Sequence, residues 1–130
     1  GGTTRDRYIA DHPSLAGRAM FADAEPGTPE AAFLKLNDPS DIIAIQERVS
    51  QGYMVRTRAD ADTVQSRTGD TTRRDAAFES GAHFISTDYP VPDTRFTDYQ
   101  VTIPGDNIAR CNPVNATTEC IDDALFVHTN

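Results

Sequence analysis

Two arginines, Arg56 and Arg58, stand two residues apart in Y-M-V-R-T-R-A-D, Tyr53 to Asp60. On an extended chain side chains alternate, so Met54, Arg56, Arg58 and Asp60 share one face and Val55, Thr57 and Ala59 the other. A pair of guanidinium forks on one face can hold phosphate bidentately or bond adjacent sugar hydroxyls. The plainer role is pairing with nearby carboxylates such as Asp60, Asp62 and Asp88. Asp88 and Tyr89 follow the short apolar run Ala82 to Thr87. Asp88 could orient an arginine or histidine, accept from a substrate hydroxyl, or simply cap the next turn. Tyr89 could stack on a sugar ring or pack as a rim residue. Lys35, the one lysine, sits with Asn37 in a polar loop and could donate to phosphate. Arg73 and Arg74 open a helix, where Asp70 and Asp75 are the natural partners.

These groups need a frame. Ile42, Ile45 and Val49 form a helical stripe over Asp41 to Gln51, with Ser40 or Asp38 as cap and Gly52 as stop. A second helix should run from Thr71 or Thr72 to Ser80, ended by Gly81 in the positive-φ position. Ala82 to Thr87 carries no charge and suits a strand buried on both faces. Upstream, Arg5 to Ala10 reads as a short helix and Arg18 to Ala22 as a short strand. Pro29 to Phe33 reads as a short helix with proline in its first turn. Asp60 to Asp70 reads as a loop, and Tyr99 to Ile103 as an edge strand. Strands alternating with helices argue for parallel pairing in an α/β fold.

Composition narrows the function. The net charge is −8 over 130 residues, which argues against a nucleic-acid partner bound through a generally basic surface. No apolar run is long enough to span a bilayer. Gly1-Gly2 in place of an initiator methionine suggests a processed or excised chain. Cys111 and Cys120 lack partners at zinc spacing, so a disulfide is expected, and with it a secreted or periplasmic home. Asn115-Ala116-Thr117 matches a glycosylation acceptor, relevant only in a eukaryotic secretory host. His83 falls inside a strand and reads as structural. His12 and His128 fall in surface segments.

Three stretches carry a family resemblance: G-Y-M-V-R-T-R-A-D-A-D-T, D-T-T-R-R-D-A-A-F-E-S-G-A-H-F-I-S-T-D-Y-P and A-R-C-N-P-V-N-A. From about Arg18 to Cys120 the chain resembles the C-terminal portion of bacterial and fungal calcium-dependent phosphoinositide phospholipase C-like proteins. Those belong to the phosphodiesterase superfamily with a TIM-type barrel, and T-D-Y-P resembles the end of that superfamily's last barrel strand. The resemblance implies that Arg18–Ala22, Tyr53–Ala59 and Ala82–Thr87 are strands six to eight of a (β/α)₈ barrel, followed by a loop-rich tail. Residues 1–130 would then be one unit, the C-terminal half of such a barrel. It implies a phosphodiester hydrolase acting on phosphatidylinositol-type lipids by acid–base chemistry with Ca²⁺. The acid, base and most calcium ligands would lie outside this chain. None of its three histidines matches the family's catalytic positions. Here Arg56, Arg58, Asp88, Lys35 and Tyr89 would hold phosphate and headgroup, with peripheral membrane contact and an N-terminal half or partner chain beside them. By itself the chain would be inactive, and a half-barrel would be marginally stable or would associate. The rival expectations are a non-enzymatic secreted module binding phosphate or sugar through the same arginines, and a degenerate barrel without chemistry.

Overall fold

A computed structural model describes residues 3–105 and 107–126. Helix α1 spans Thr3–Ile9, β1 Phe33–Lys35, α2 Ile42–Ser50, β2 Met54–Arg58, α3 Val64–Thr68, α4 Thr72–Glu79 and β3 Phe84–Ser86. A 3₁₀ turn, Asp122–Phe126, follows in the tail. The strands form one parallel sheet in the order β1-β2-β3, with Phe33 beside Met54, Arg56 beside both Lys35 and Phe84, and Arg58 beside Ser86. Parallel strands alternating with helices make a mixed α/β unit consistent with a segment of a β/α barrel.

The core lies on one side of the sheet. Ile45 and Val49 of α2 meet Val55 of β2, and Leu36, Tyr53, Ala82 and Val114 close around them. The alternation expected for β2 holds: Val55 and Thr57 are buried, while Met54, Arg56 and Arg58 face outward. Helices α2 and α4 pack on β2. The opposite side of the sheet has no helix over it among the described residues. Phe33 lies 5.8 Å from Phe84, ring to ring, on that uncovered side.

Several expectations are corrected. Arg18–Ala22 is not a strand, because its apolar residues Met20 and Phe21 stay 66% and 62% exposed and find no inward face. Phe21 instead stacks on Phe33 at 6.1 Å. The first strand is Phe33–Lys35, where a helix was expected up to Phe33. Buried Leu34 anchors it against Val55. Residues 60–70 are not wholly loop, since α3 forms there and stops at Gly69 in the left-handed conformation. Tyr99–Ile103 forms no strand. It crosses over the end of the sheet, with Val101 N–H donating to Tyr89 O, the Tyr99 hydroxyl to Ala59 O, and Ile103 bridging only to Asn107. The strand in 82–87 is not buried on both faces. As the last in order it has one open side, and Phe84 is 51% exposed. Asp41, rather than Ser40 or Asp38, caps α2 by accepting from Ala44 N–H at 3.2 Å.

The tail straps the opposite end of the molecule. Gly81 follows α4 with φ +72°. Arg110 donates to Phe78 O, and its guanidinium lies 5.4 Å from the Phe78 ring centre. Asn112 Nδ2 donates to Gly81 O at 2.7 Å. The expected disulfide, Cys111–Cys120, closes the strap. His83 is exposed rather than packed, yet it is held by backbone. Its N–H donates to Val55 O at 2.9 Å, and its ring Nδ1 accepts from Val55 N–H at 3.2 Å. His12 is half-buried in a turn, with Nδ1 at 2.7 Å from Ala16 O. His128 lies outside the described residues.

Candidate functional site

The C-terminal ends of parallel strands are where α/β folds gather their chemistry, because the loops there can vary without disturbing the sheet. In this chain those ends carry Lys35 and Arg58, with Arg56 at the middle of β2 beside Lys35, all on the uncovered side. Parallel register sets Lys35 next to Arg56. Three cations thus cluster at one edge of a chain whose net charge is −8.

Their partners differ. Lys35 is the last residue of β1, not part of the following loop, and its Nζ sits 2.9 Å from Asp23 Oδ2. Arg58 Nη2 lies 3.8 Å from Asp88 Oδ2, with Arg58 half-buried and Asp88 exposed. Arg56 is different. Its Nη1 donates to the neutral Oδ1 of Asn37 at 2.5 Å. Among the described residues it has no carboxylate within salt-bridge distance. Asn37 is itself fixed, since Arg73 Nη2 donates to its carbonyl at 2.5 Å while Arg73 Nη1 reaches Asp38 at 3.4 Å. A charge held by a neutral amide stays electrostatically available to an anion.

Asp88 is exposed where β3 leaves the sheet, as expected. Tyr89 is not: it is 9% exposed, its hydroxyl donates to Asp62 O, and its ring meets Tyr99 edge-on at 5.7 Å. It therefore walls the loop behind the site and offers no free ring face for stacking. Asp60 departs from the alternation, because β2 ends at Arg58 and the next two residues turn inward. It is 1% exposed. Arg74 pairs with Asp75 as expected, at 3.0 Å, but Arg73 serves Asn37 and Asp38 instead of Asp70. The role of Asn37 and the burial of Asp60 were not legible in the sequence. The only signal was position, each lying two residues beyond a cation of the site.

A hollow of about 260 Å³ opens beside Lys35, Asn37 and Asp38 at the start of α2. A larger one, about 450 Å³, lies along β3 between Phe84, Ile108 and Arg110 and is mostly apolar. Of the site residues, Lys35 and Asn37 line the smaller hollow, while Arg56, Arg58 and Asp88 line neither. Calcium needs six to eight oxygen ligands, several from carboxylates. Among the described residues no group of three or more His, Cys, Asp or Glu side chains stands together. Asp23 and Asp88 are also engaged by Lys35 and Arg58. The residues present do not fit a calcium site.

Burial first, then the charge of Asp60, push the Tyr99 phenol up from its ordinary 10.0 to about 12. The sign is fixed by linkage. Above pH 10 the unfolded chain loses this proton while the folded chain keeps it, so stability is full below pH 10 and falls as pH rises toward 12. Urea unfolding at stepped alkaline pH should show this slope, and Tyr99→Phe should flatten it. An unchanged slope in the variant would put the alkaline loss elsewhere.

Among the described residues no helix is long and apolar enough to cross a membrane. The family model for calcium-dependent phosphoinositide phospholipase C matches residues 1–113. The match reaches further upstream than the motifs, taking in α1. No curated protein and no solved structure matches the chain.

Proposed function

Since the chain belongs to the calcium-dependent phosphoinositide phospholipase C family, we propose that it supplies the phosphate- and headgroup-holding part of a phospholipase C-like phosphodiesterase. In this reading the three strands are the sixth to eighth of a (β/α)₈ barrel, with Phe33–Lys35 taking the sixth place. The chain is one unit of that barrel, and its disulfide suits a secreted or periplasmic setting.

The division of labour follows from charge. Arg56 takes the phosphate, two N–H groups to two oxygens, while Asn37 holds its third donor direction. Arg58 and Asp88 present a donor and an acceptor side by side, the pairing that adjacent ring hydroxyls require. Lys35, shared with Asp23, adds long-range attraction. The attack of the inositol 2-hydroxyl on phosphorus needs a base, an acid and charge neutralisation of the transition state. The family is calcium-dependent, and no step is assigned here to that ion. The carrying observation is the guanidinium of Arg56, on the open side of the sheet, bound by a neutral amide and by no carboxylate among the described residues.

Calorimetric titration with inositol 1-phosphate tests this. Arg56→Ala should weaken binding at least about tenfold, some 1.4 kcal/mol, and Arg58→Ala less, because Asp88 already offsets its charge. Equal loss in both would refute the division. The chain alone should not cleave phosphatidylinositol. Turnover abolished by Arg56→Ala would overturn the placement of acid and base elsewhere.

A further inference from the structure

Asp60 is a carboxylate with almost no exposure and, among the described residues, no cation within salt-bridge distance. Buried charges are ordinarily paired or hydrogen-bonded. Asp60 is satisfied by the exit of the neighbouring strand. Thr87 Oγ1 donates to its Oδ2, and Asp88 N–H donates to its Oδ1 at 3.1 Å. Thr87 Oγ1 in turn accepts from Tyr89 N–H at 2.9 Å. One carboxylate therefore grips three consecutive residues, directly or through one hydroxyl. The paired rings of Tyr89 and Tyr99 stand close by, and Tyr99 also bonds the carbonyl of Ala59, next to Asp60.

We infer that Asp60 is a positioning residue, a buried latch that fixes the Thr87–Asp88–Tyr89 turn and so sets the Asp88 carboxylate against Arg58. Asp88 is exposed, Arg58 is half-buried and the two stand 3.8 Å apart, a separation too loose for the pair to fix itself. Its geometry must come from the backbone, and the Asp88 backbone is bonded to Asp60. An asparagine at position 60 could still accept from Asp88 N–H through Oδ1 and donate to Thr87 Oγ1 through Nδ2, so the latch is broken only by a side chain with neither group, as in Asp60→Ala. The latch is a property of the free protein, and only its consequence for binding rests on the headgroup reading above.

The test is NMR of the whole chain as wild type, Asp60→Ala, Asp88→Asn and the double variant. Asp60→Ala, which removes both acceptors, should move the Arg58 Nε–Hε resonance to where Asp88→Asn puts it, with no further shift in the double variant. Amide exchange at Asp88 should quicken at least about tenfold, while that at Ala59 and His83, bonded within the sheet, holds. An Arg58 resonance left at its wild-type position overturns the inference, as does protection lost equally across the sheet, which marks a merely structural role. If Asp60→Ala does not fold, Thr87→Val removes the hydroxyl from the other side of the latch and decides by the same two readouts. Added inositol 1-phosphate should bind Asp60→Ala several-fold more weakly. Wild type that binds none refutes the headgroup reading alone, and the free-protein spectra still decide the latch.

Discussion

Gly81→Ala should lower stability by about 2–5 kcal/mol, the sum of a backbone and a packing effect. The left-handed conformation costs a residue with a Cβ about 1–2 kcal/mol, and Gly81 has φ +72°. The new methyl would also stand 2.4 Å from Val114 Cγ2. Val114 packs against the Ile45, Val49 and Val55 cluster, so it cannot simply swing away. Overpacking of this kind costs about 1–3 kcal/mol. Gly52 supplies the control: its φ is +89° but nothing lies within 4 Å of the added Cβ. Gly52→Ala should therefore show the backbone cost alone. Urea midpoints for the two variants check this, and equal losses would remove the steric part of the account.

Removing the disulfide with Cys111→Ser and Cys120→Ser together should cost about 2–3 kcal/mol in the chain-entropy model. The bridge closes a loop with a sequence separation of 9. Its release also loosens Cys111 N–H from Asp122 Oδ1, a bond of 2.6 Å. The strap it holds carries Asn112 on Gly81 and Val114 on the core. These contacts lie where β3 begins, whereas Arg58 and Asp88 lie where the strands end and Arg56 turns to the uncovered side, away from the core that Val114 joins. The variant should thus melt earlier yet bind inositol 1-phosphate as wild type does. A matching fall in affinity would show that the two ends are coupled.

Much of the frame was legible because it rests on periodicity. The Ile42, Ile45 and Val49 stripe, the alternation in Met54–Arg58, and Gly81 as a helix stop are each fixed by local rules. The first strand escaped because three residues between prolines carry no period, and Leu34 is recognisable as core only once Val55 lies beside it. Arg18–Ala22 looked equally apolar but finds no strand to pair with, and only Phe21 packs, on Phe33. At the site, residue type identified the cations. It could not show that Asp23 and Asp88 engage two of them, or that Asn37 holds the third. Those pairings join residues far apart in sequence. Asp60 was placed by extending an alternation past the point where the strand stops.

Among the described residues helices cover one side of the sheet only, and on the other Met54 and Phe84 stand exposed beside Phe33 and Arg56. Water and salt weaken any grip that Arg56 has on an anion. Whatever covers those apolar side chains also lowers the dielectric around the guanidinium, and the same contact with phosphate becomes stronger. Covering the sheet and binding the anion are therefore reciprocal: each free energy carries a share of the other. An anion held at Arg56 would favour the covered state by the same factor that the cover favours the anion.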